Sequence, residues 1–132
     1  MSNQTPPLAT KRLPDDYDVL APDGSEIRVL PATARASLAH GTLPPGGVSL
    51  AVTHRTVEEI WYVIEGQAEV WRKHGDREEV VTVGPAVALT IPLGTHFQFR
   101  TIGAQPFRFI MCTIPPWPGP DEAVRVPDHW PV

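Results

Sequence analysis

The chain lacks most of the features that assign a function quickly. It has one cysteine, Cys112, in 132 residues, so no internal disulfide can hold it and the fold must rest on packing, as suits a reducing compartment. No stretch approaches the ~20 apolar residues that cross a bilayer. Residues 1–14 also lack the apolar run of a secretory signal. A cytoplasmic protein without a membrane partner is therefore expected. Eleven Lys and Arg stand against fifteen Asp and Glu, a net charge of −4. The basic residues form no patch able to displace counterions from a phosphate backbone, which argues against a nucleic-acid partner. No G-x-S-x-G elbow, phosphate loop, dinucleotide fingerprint or paired-cysteine zinc site occurs, and nucleotide-driven chemistry has no support.

Proline is what the chain has in excess: 16 of 132 residues, against a usual ~5%. Proline removes a backbone donor and fixes φ, so this density excludes a mostly helical protein. The length suits one domain. Turn signals recur at short intervals: Pro44-Pro45-Gly46-Gly47, Glu65-Gly66, His74-Gly75-Asp76, Gly84-Pro85 and Pro92-Leu93-Gly94. That spacing predicts an all-β sandwich or barrel. Residues 1–25, polar and carrying Pro6, Pro7, Pro14 and Pro22, read as an extended N-terminal arm, and 26–114 as the barrel. Residues 115–132 read as a Pro-rich tail that packs on the barrel, with Trp117 over the surface near its mouth.

Period-two patterning refines this picture. In 48–54 it places Val48, Leu50, Val52 and His54 on one face. In 59–64 it places Glu59, Trp61 and Val63 on one face and Ile60, Tyr62 and Ile64 on the other. Both faces are apolar, as in a strand that is central or lies in a subunit interface. A meander follows over 68–83, with further strands over 87–91, 96–102 and 107–114. Cys112 reads as buried packing, and His74 and His129 fall in a turn and the tail with no role.

The densest information lies in residues 46–66, GGVSLAVTHRTVEEIWYVIEG, where an inward His54 and an inward Glu59 sit on successive strands. With Gly46, His54, Glu59 and Gly66, this stretch resembles the first motif of the cupin superfamily, G-x5-H-x-H-x3 or x4-E-x6-G. Every spacing is met, and Val52 occupies the first histidine position. The second motif, G-x5-P-x-G-x2-H-x3-N, is recognisable in residues 85–101 through Pro92 and Gly94. Ala86, Phe97 and Thr101 stand at its glycine, histidine and asparagine. The resemblance spans 34–113 and implies a cupin-like double-stranded β-helix, or jelly-roll barrel, of the small single-domain kind.

In metal-binding cupins three histidines and the glutamate hold iron, manganese, nickel or zinc. The resemblance thus implies a divalent metal on His54 and Glu59, an incomplete set, since a catalytic zinc or an iron facial triad takes about three protein ligands. His96 is the candidate third ligand; His40, on a face with Leu38 and Thr42, is a weaker one. His96 reaches the interior only if a bulge follows the turn at Pro92, which would also bring Gln98 and Arg100 inward and turn Phe97 and Phe99 out. The regular register makes the opposite, aromatic pocket. A barrel without any cofactor is the equal alternative. Glu59 is the catalytic candidate, as metal ligand or proton acceptor, and His54, Trp61, Phe97 and Phe99 are the candidate pocket residues. The functions in view are a small-molecule-binding cupin acting as isomerase, epimerase or oxygenase, a metal-free binding or sensing cupin, and a homodimeric interaction module. A homodimer sealed by Ile60, Tyr62 and Ile64 fits the last two.

Overall fold

In the computed structural model, which describes residues 7–132, short strands between stiff turns assemble into two antiparallel sheets. The first has the order β1 (Val19–Leu20), β2 (Glu26–Ala32), β3 (Ser37–Leu43), β10 (Phe107–Ile114), β5 (Glu58–Glu65) and β8 (Ala88–Ile91). The second runs β11 (Ala123–Arg125), β4 (Val52–His54), β9 (His96–Ile102), β6 (Gln67–His74) and β7 (Arg77–Val83). No helix among the described residues is long and apolar enough to cross a membrane. The first six residues of the N-terminal arm lie outside the described part. The rest of the arm contributes β1, which pairs with β2.

Alternation decides what each strand buries. In β5, Glu59, Trp61 and Val63 are buried while Ile60, Tyr62 and Ile64 stay about half exposed. The inner face meets Phe97, Phe99, Phe107 and Phe109 in an aromatic core, with Trp61 and Phe109 ring centroids 4.4 Å apart and Trp61 and Phe99 5.1 Å apart. Each such ring removes enough apolar surface from water to contribute about 2–3 kcal/mol. The alternation expected from Val48 begins only at Val52. Ser49 and Ala51 are both fully buried, because the stretch runs antiparallel beside β9 with a one-residue register shift: Val48 opposes Arg100 while Val52 opposes Phe97, and Ser49 N–H donates to the Phe99 carbonyl at 2.8 Å.

The bulged register for β9 is corrected. Thr95 N–H donates to the Pro92 carbonyl at 3.0 Å across a tight turn whose Gly94 has φ +85°, the geometry of a type II turn. The strand then pairs without interruption to β4 and β6. Phe97 and Phe99 therefore point inward, at 1% and 0% exposure, and Gln98 takes the other face. Two motif positions show why glycine recurs there. Gly66 has φ +76°, and a β-carbon on it would collide with the Pro106 carbonyl. Ala86, at the second motif's leading glycine, adopts φ +71° and bears the left-handed strain of about 1–2 kcal/mol that glycine avoids.

The tail is more than a surface strap. After a 3-10 turn at Pro120–Glu122, β11 adds to the edge of the second sheet against β4. Beyond it, the fully buried Gln98 amide accepts from the His129 and Trp130 N–H groups, both at 2.8 Å, and donates to the Ser49 and Trp130 carbonyls at 2.9 and 3.0 Å. His129 stacks on Trp71 at 5.2 Å, and the Arg100 guanidinium lies 4.5 Å over Trp130. Gln98→Ala should leave these backbone groups unpaired, costing about 2–3 kcal/mol. Denaturant titration measures that loss, and limited proteolysis should show cleavage shifting into residues 126–132.

Candidate functional site

A cavity of about 490 Å³ lies between the sheets. Its inner end is the aromatic and aliphatic surface of Trp61, Phe97, Phe109, Met111 and Val52, carried by the inward positions of β5, β9, β10 and β4. Two segments from outside the 26–114 span complete it: the turn around Asp23, and the tail from Pro116 to Ala123, which brings Trp117. Among the described residues no Lys or Arg side chain lines it.

Three ionisable groups face this cavity. Glu59 is 4% exposed; its Oε1 accepts from Trp61 Nε1 at 3.0 Å and its Oε2 from Thr113 Oγ1 at 2.7 Å. Burial pushes its carboxyl above the usual range, the two hydrogen bonds oppose that, and the nearby Glu122 charge adds to the rise. Asp23 Oδ1 accepts from Ser25 N–H at 2.9 Å and Ser25 Oγ at 2.7 Å. Burial raises this carboxyl too, against the Ser25 bonds, with Glu59 raising it further and His54 lowering it. His54, 8% exposed, stands edge-on to Phe97 at 5.2 Å and to Trp117 at 5.3 Å. Its Nδ1 has no hydrogen-bond partner among the described residues. Burial holds the imidazole below its ordinary value although Asp23 and Glu122 pull it up, so it is neutral at pH 7.

The candidate residues do not all meet. His54, Glu59, Trp61 and Phe97 share the cavity wall, whereas Phe99 packs behind it in the core. His96 is not on the wall; it pairs across the sheet with Thr53 and Lys73. His40 is buried outside the cavity, its pKa lowered by burial and then by Arg28 and Arg108. Among the described residues no three His, Cys, Asp or Glu side chains converge as metal ligands. Val52 and Phe97 fill two of the family's ligand positions as directly paired residues. The residues present do not fit a divalent ion, and His96 as third ligand is corrected for the same reason of register.

Asp23, Thr113 and Met111 were not legible as site residues. Pro22-Asp23-Gly24-Ser25 carries the signal of a side-chain-bonded turn, but within a Pro-rich leader it marks only a bend. Glu122 was equally hidden. At 4% exposure its carboxylate accepts from Thr56 N–H at 2.6 Å, Thr56 Oγ1 at 2.7 Å and Val57 N–H at 2.9 Å, tying the tail to the turn between His54 and Glu59. Burial alone would raise its pKa, but these bonds and the nearby His54 outweigh that and lower it.

Two antiparallel sheets closed over a central pocket define a double-stranded β-helix protein. The chain belongs to the cupin family: the cupin domain model matches residues 39–113. It is 29% identical over 126 residues to the uncharacterized protein MJ1618 of Methanocaldococcus jannaschii, covering 89% of this chain and 98% of that one. Among solved structures it resembles KdgF from Halomonas sp. (TM-score 0.66, 17% identity, 81% of this chain and 94% of that chain). It also resembles a double-stranded β-helix protein from Klebsiella pneumoniae (TM-score 0.64, 18% identity, 79% and 85%). At these identities the structural likeness establishes the fold.

The two buried glutamates should respond oppositely to pH. Glu122, depressed in the fold, contributes stability above the ordinary carboxylate range, lost as pH falls below about 4. Glu59, raised in the fold, contributes at acid pH, and its contribution is lost as pH rises from the ordinary range through the folded value. Unfolding free energies measured from pH 4 to 8 should therefore show Glu59→Gln gaining on the parent as pH rises. Glu122→Gln should cost about 2–3 kcal/mol at pH 7, a loss that persists down to about pH 4 and shrinks only below it. Parallel curves for Glu59→Gln and the parent would contradict the assignment.

Proposed function

We propose that this cupin binds a small, largely apolar organic molecule in the central pocket without a divalent metal. The observation that carries the reading is a cavity of about 490 Å³, within the ~300–1,000 Å³ of small-molecule sites, lined by aromatic rings and a few convergent polar groups. Where binding leads to turnover, Glu59 is the group placed to move a proton, as isomerisation or epimerisation requires, because burial raises its pKa toward the working range of a general acid–base. The neutral fluorescent probe N-phenyl-1-naphthylamine should bind with a dissociation constant of about 10 μM. Ala39→Phe, which fills the pocket from β3, should abolish that signal while leaving the fold intact; equal binding by this variant would overturn the assignment of the site.

Metal content separates this reading from the metal-bound one. Protein incubated with excess Fe(II), Mn(II), Ni(II) or Zn(II) should retain less than about a tenth of an equivalent. The double substitution Val52→His and Phe97→His, which restores the family's ligand set around His54 and Glu59, should raise that to about one. A full equivalent on the unmodified chain would reject the proposal.

A second reading, a homodimer, draws on the outer face of the first sheet. Ile60 and Tyr62 on β5, Cys112 and Ile110 on β10, and Leu38 on β3 are direct cross-strand neighbours, and the β5 residues and Leu38 are exposed. The Arg108–Glu65 ion pair, 3.1 Å, borders this patch. An apolar centre with both charge signs at its edge is self-complementary, as a two-fold interface requires. Light scattering at tens of micromolar should report twice the 14.5 kDa chain mass, and Ile60→Asp with Tyr62→Asp should halve it. A monomeric parent would remove this reading.

A further inference from the structure

Resting on the pocket reading above, we infer that the ligand is an organic ammonium: an apolar body carrying a protonated amine that meets Asp23, Glu59 and His54. Several polar atoms on the wall are already used. The Ser25 hydroxyl and N–H are spent on Asp23 Oδ1, and the Trp61 indole N–H and Thr113 hydroxyl on Glu59. The acceptors are not exhausted. Asp23 Oδ2 has no hydrogen bond within the described structure, and each Glu59 oxygen, holding one, keeps a further lone pair.

His54 supplies the independent pointer. The residue is more than nine-tenths buried and on the cavity wall, and its Nδ1 makes no hydrogen bond within the described structure, although a neutral imidazole offers one acceptor and one donor. A buried polar group left unpaired costs about 1–3 kcal/mol, so a ligand that pairs it recovers that cost. An ammonium has donors only, and so matches a wall with acceptors to spare.

Charge and shape agree with this inventory. Among the described residues two carboxyl groups face the cavity and no Lys or Arg does, so a carboxylate or phosphate ligand would meet repulsion with no counter-ion there. A cation would relieve the repulsion by which Glu59 raises Asp23. Trp117, Trp61 and Phe97 supply ring faces and edges around the same space, and such rings attract a desolvated cation. The rest of the wall is aliphatic and suits a hydrocarbon body.

Displacement of N-phenyl-1-naphthylamine by three probes of one shape tests this: benzylamine, benzyl alcohol and benzoate at pH 7. Benzylamine should displace the probe at about a tenfold lower concentration than benzyl alcohol, with benzoate weakest. The amine preference should fall to within about twofold in Asp23→Asn with Glu59→Gln, and partway in Asp23→Asn alone, which keeps the Oδ1 acceptor. Probe binding with equal displacement by amine and alcohol, or a preference that survives both substitutions, overturns the ammonium assignment and leaves the pocket reading standing. Failure of the fluorescent probe and of benzylamine to bind at all, the latter followed directly by calorimetry, overturns both.

Discussion

The register of β9 is the constraint on which the pocket, the tail and the metal question all depend. The Pro92–Thr95 turn delivers the chain without a bulge, and pairing to β4 on one side and β6 on the other fixes the alternation. Phe97 and Phe99 then go in and Gln98 goes out. A one-residue slip would expose two phenylalanines, at about 2–3 kcal/mol each. It would also strand in the core an amide that now makes four hydrogen bonds, to the Ser49 carbonyl and to the tail. Both consequences oppose the slip, so a polar, His96-bearing interior has no stabilising counterweight.

The outward consequence feeds back on the inward one. Gln98 holds residues 129–130 against the second sheet, and β11 pairs with β4, so the stretch between β10 and β11 is fixed at both ends. That stretch carries Trp117 to His54 and Glu122 to the turn after it. The two buried glutamates show how the same residue type serves different ends. Both are 4% exposed. Glu122 accepts three donors, two of them backbone N–H groups, and is held ionised as part of the scaffold. Glu59 accepts two side-chain donors, and burial outweighs them. The number and kind of donors, not exposure, separates the carboxyl whose pKa is lowered from the one whose pKa is raised.

What the sequence made legible was local. Motif spacing placed His54 and Glu59 on inward positions of β4 and β5, and period-two alternation identified the buried face of β5. The β9 register was left open because a bulge is invisible in residue types alone; the uninterrupted pairing resolved it. The 48–51 stretch misled because the chain does run beside β9 there, but a one-residue register shift between Val48 and Val52 breaks the alternation. Asp23, Trp117 and Glu122 reach the site through contacts with residues distant in the chain, such as Glu122 with Val57 at a separation of 65 residues. No local pattern encodes such contacts. The leader and the tail, defined by their prolines as the ends of the chain, therefore supply part of the pocket.

With Val52 and Phe97 at two of the family's ligand positions, Glu59 sits in a setting unlike that of a metal ligand. Beside a metal, its charge would be neutralised by coordination. Here Trp61 and Thr113 compensate it only in part, and a buried carboxylate carries a desolvation cost that its neutral isostere avoids. Glutamine at this position would keep an acceptor for the indole N–H and a polar contact to Thr113 without that cost. The carboxyl group therefore adds to the pocket only what an amide cannot: a proton that can leave, or a negative charge when a cation arrives. Neither is needed by a core that merely packs, which is why the proposed ligand is sought at this carboxyl.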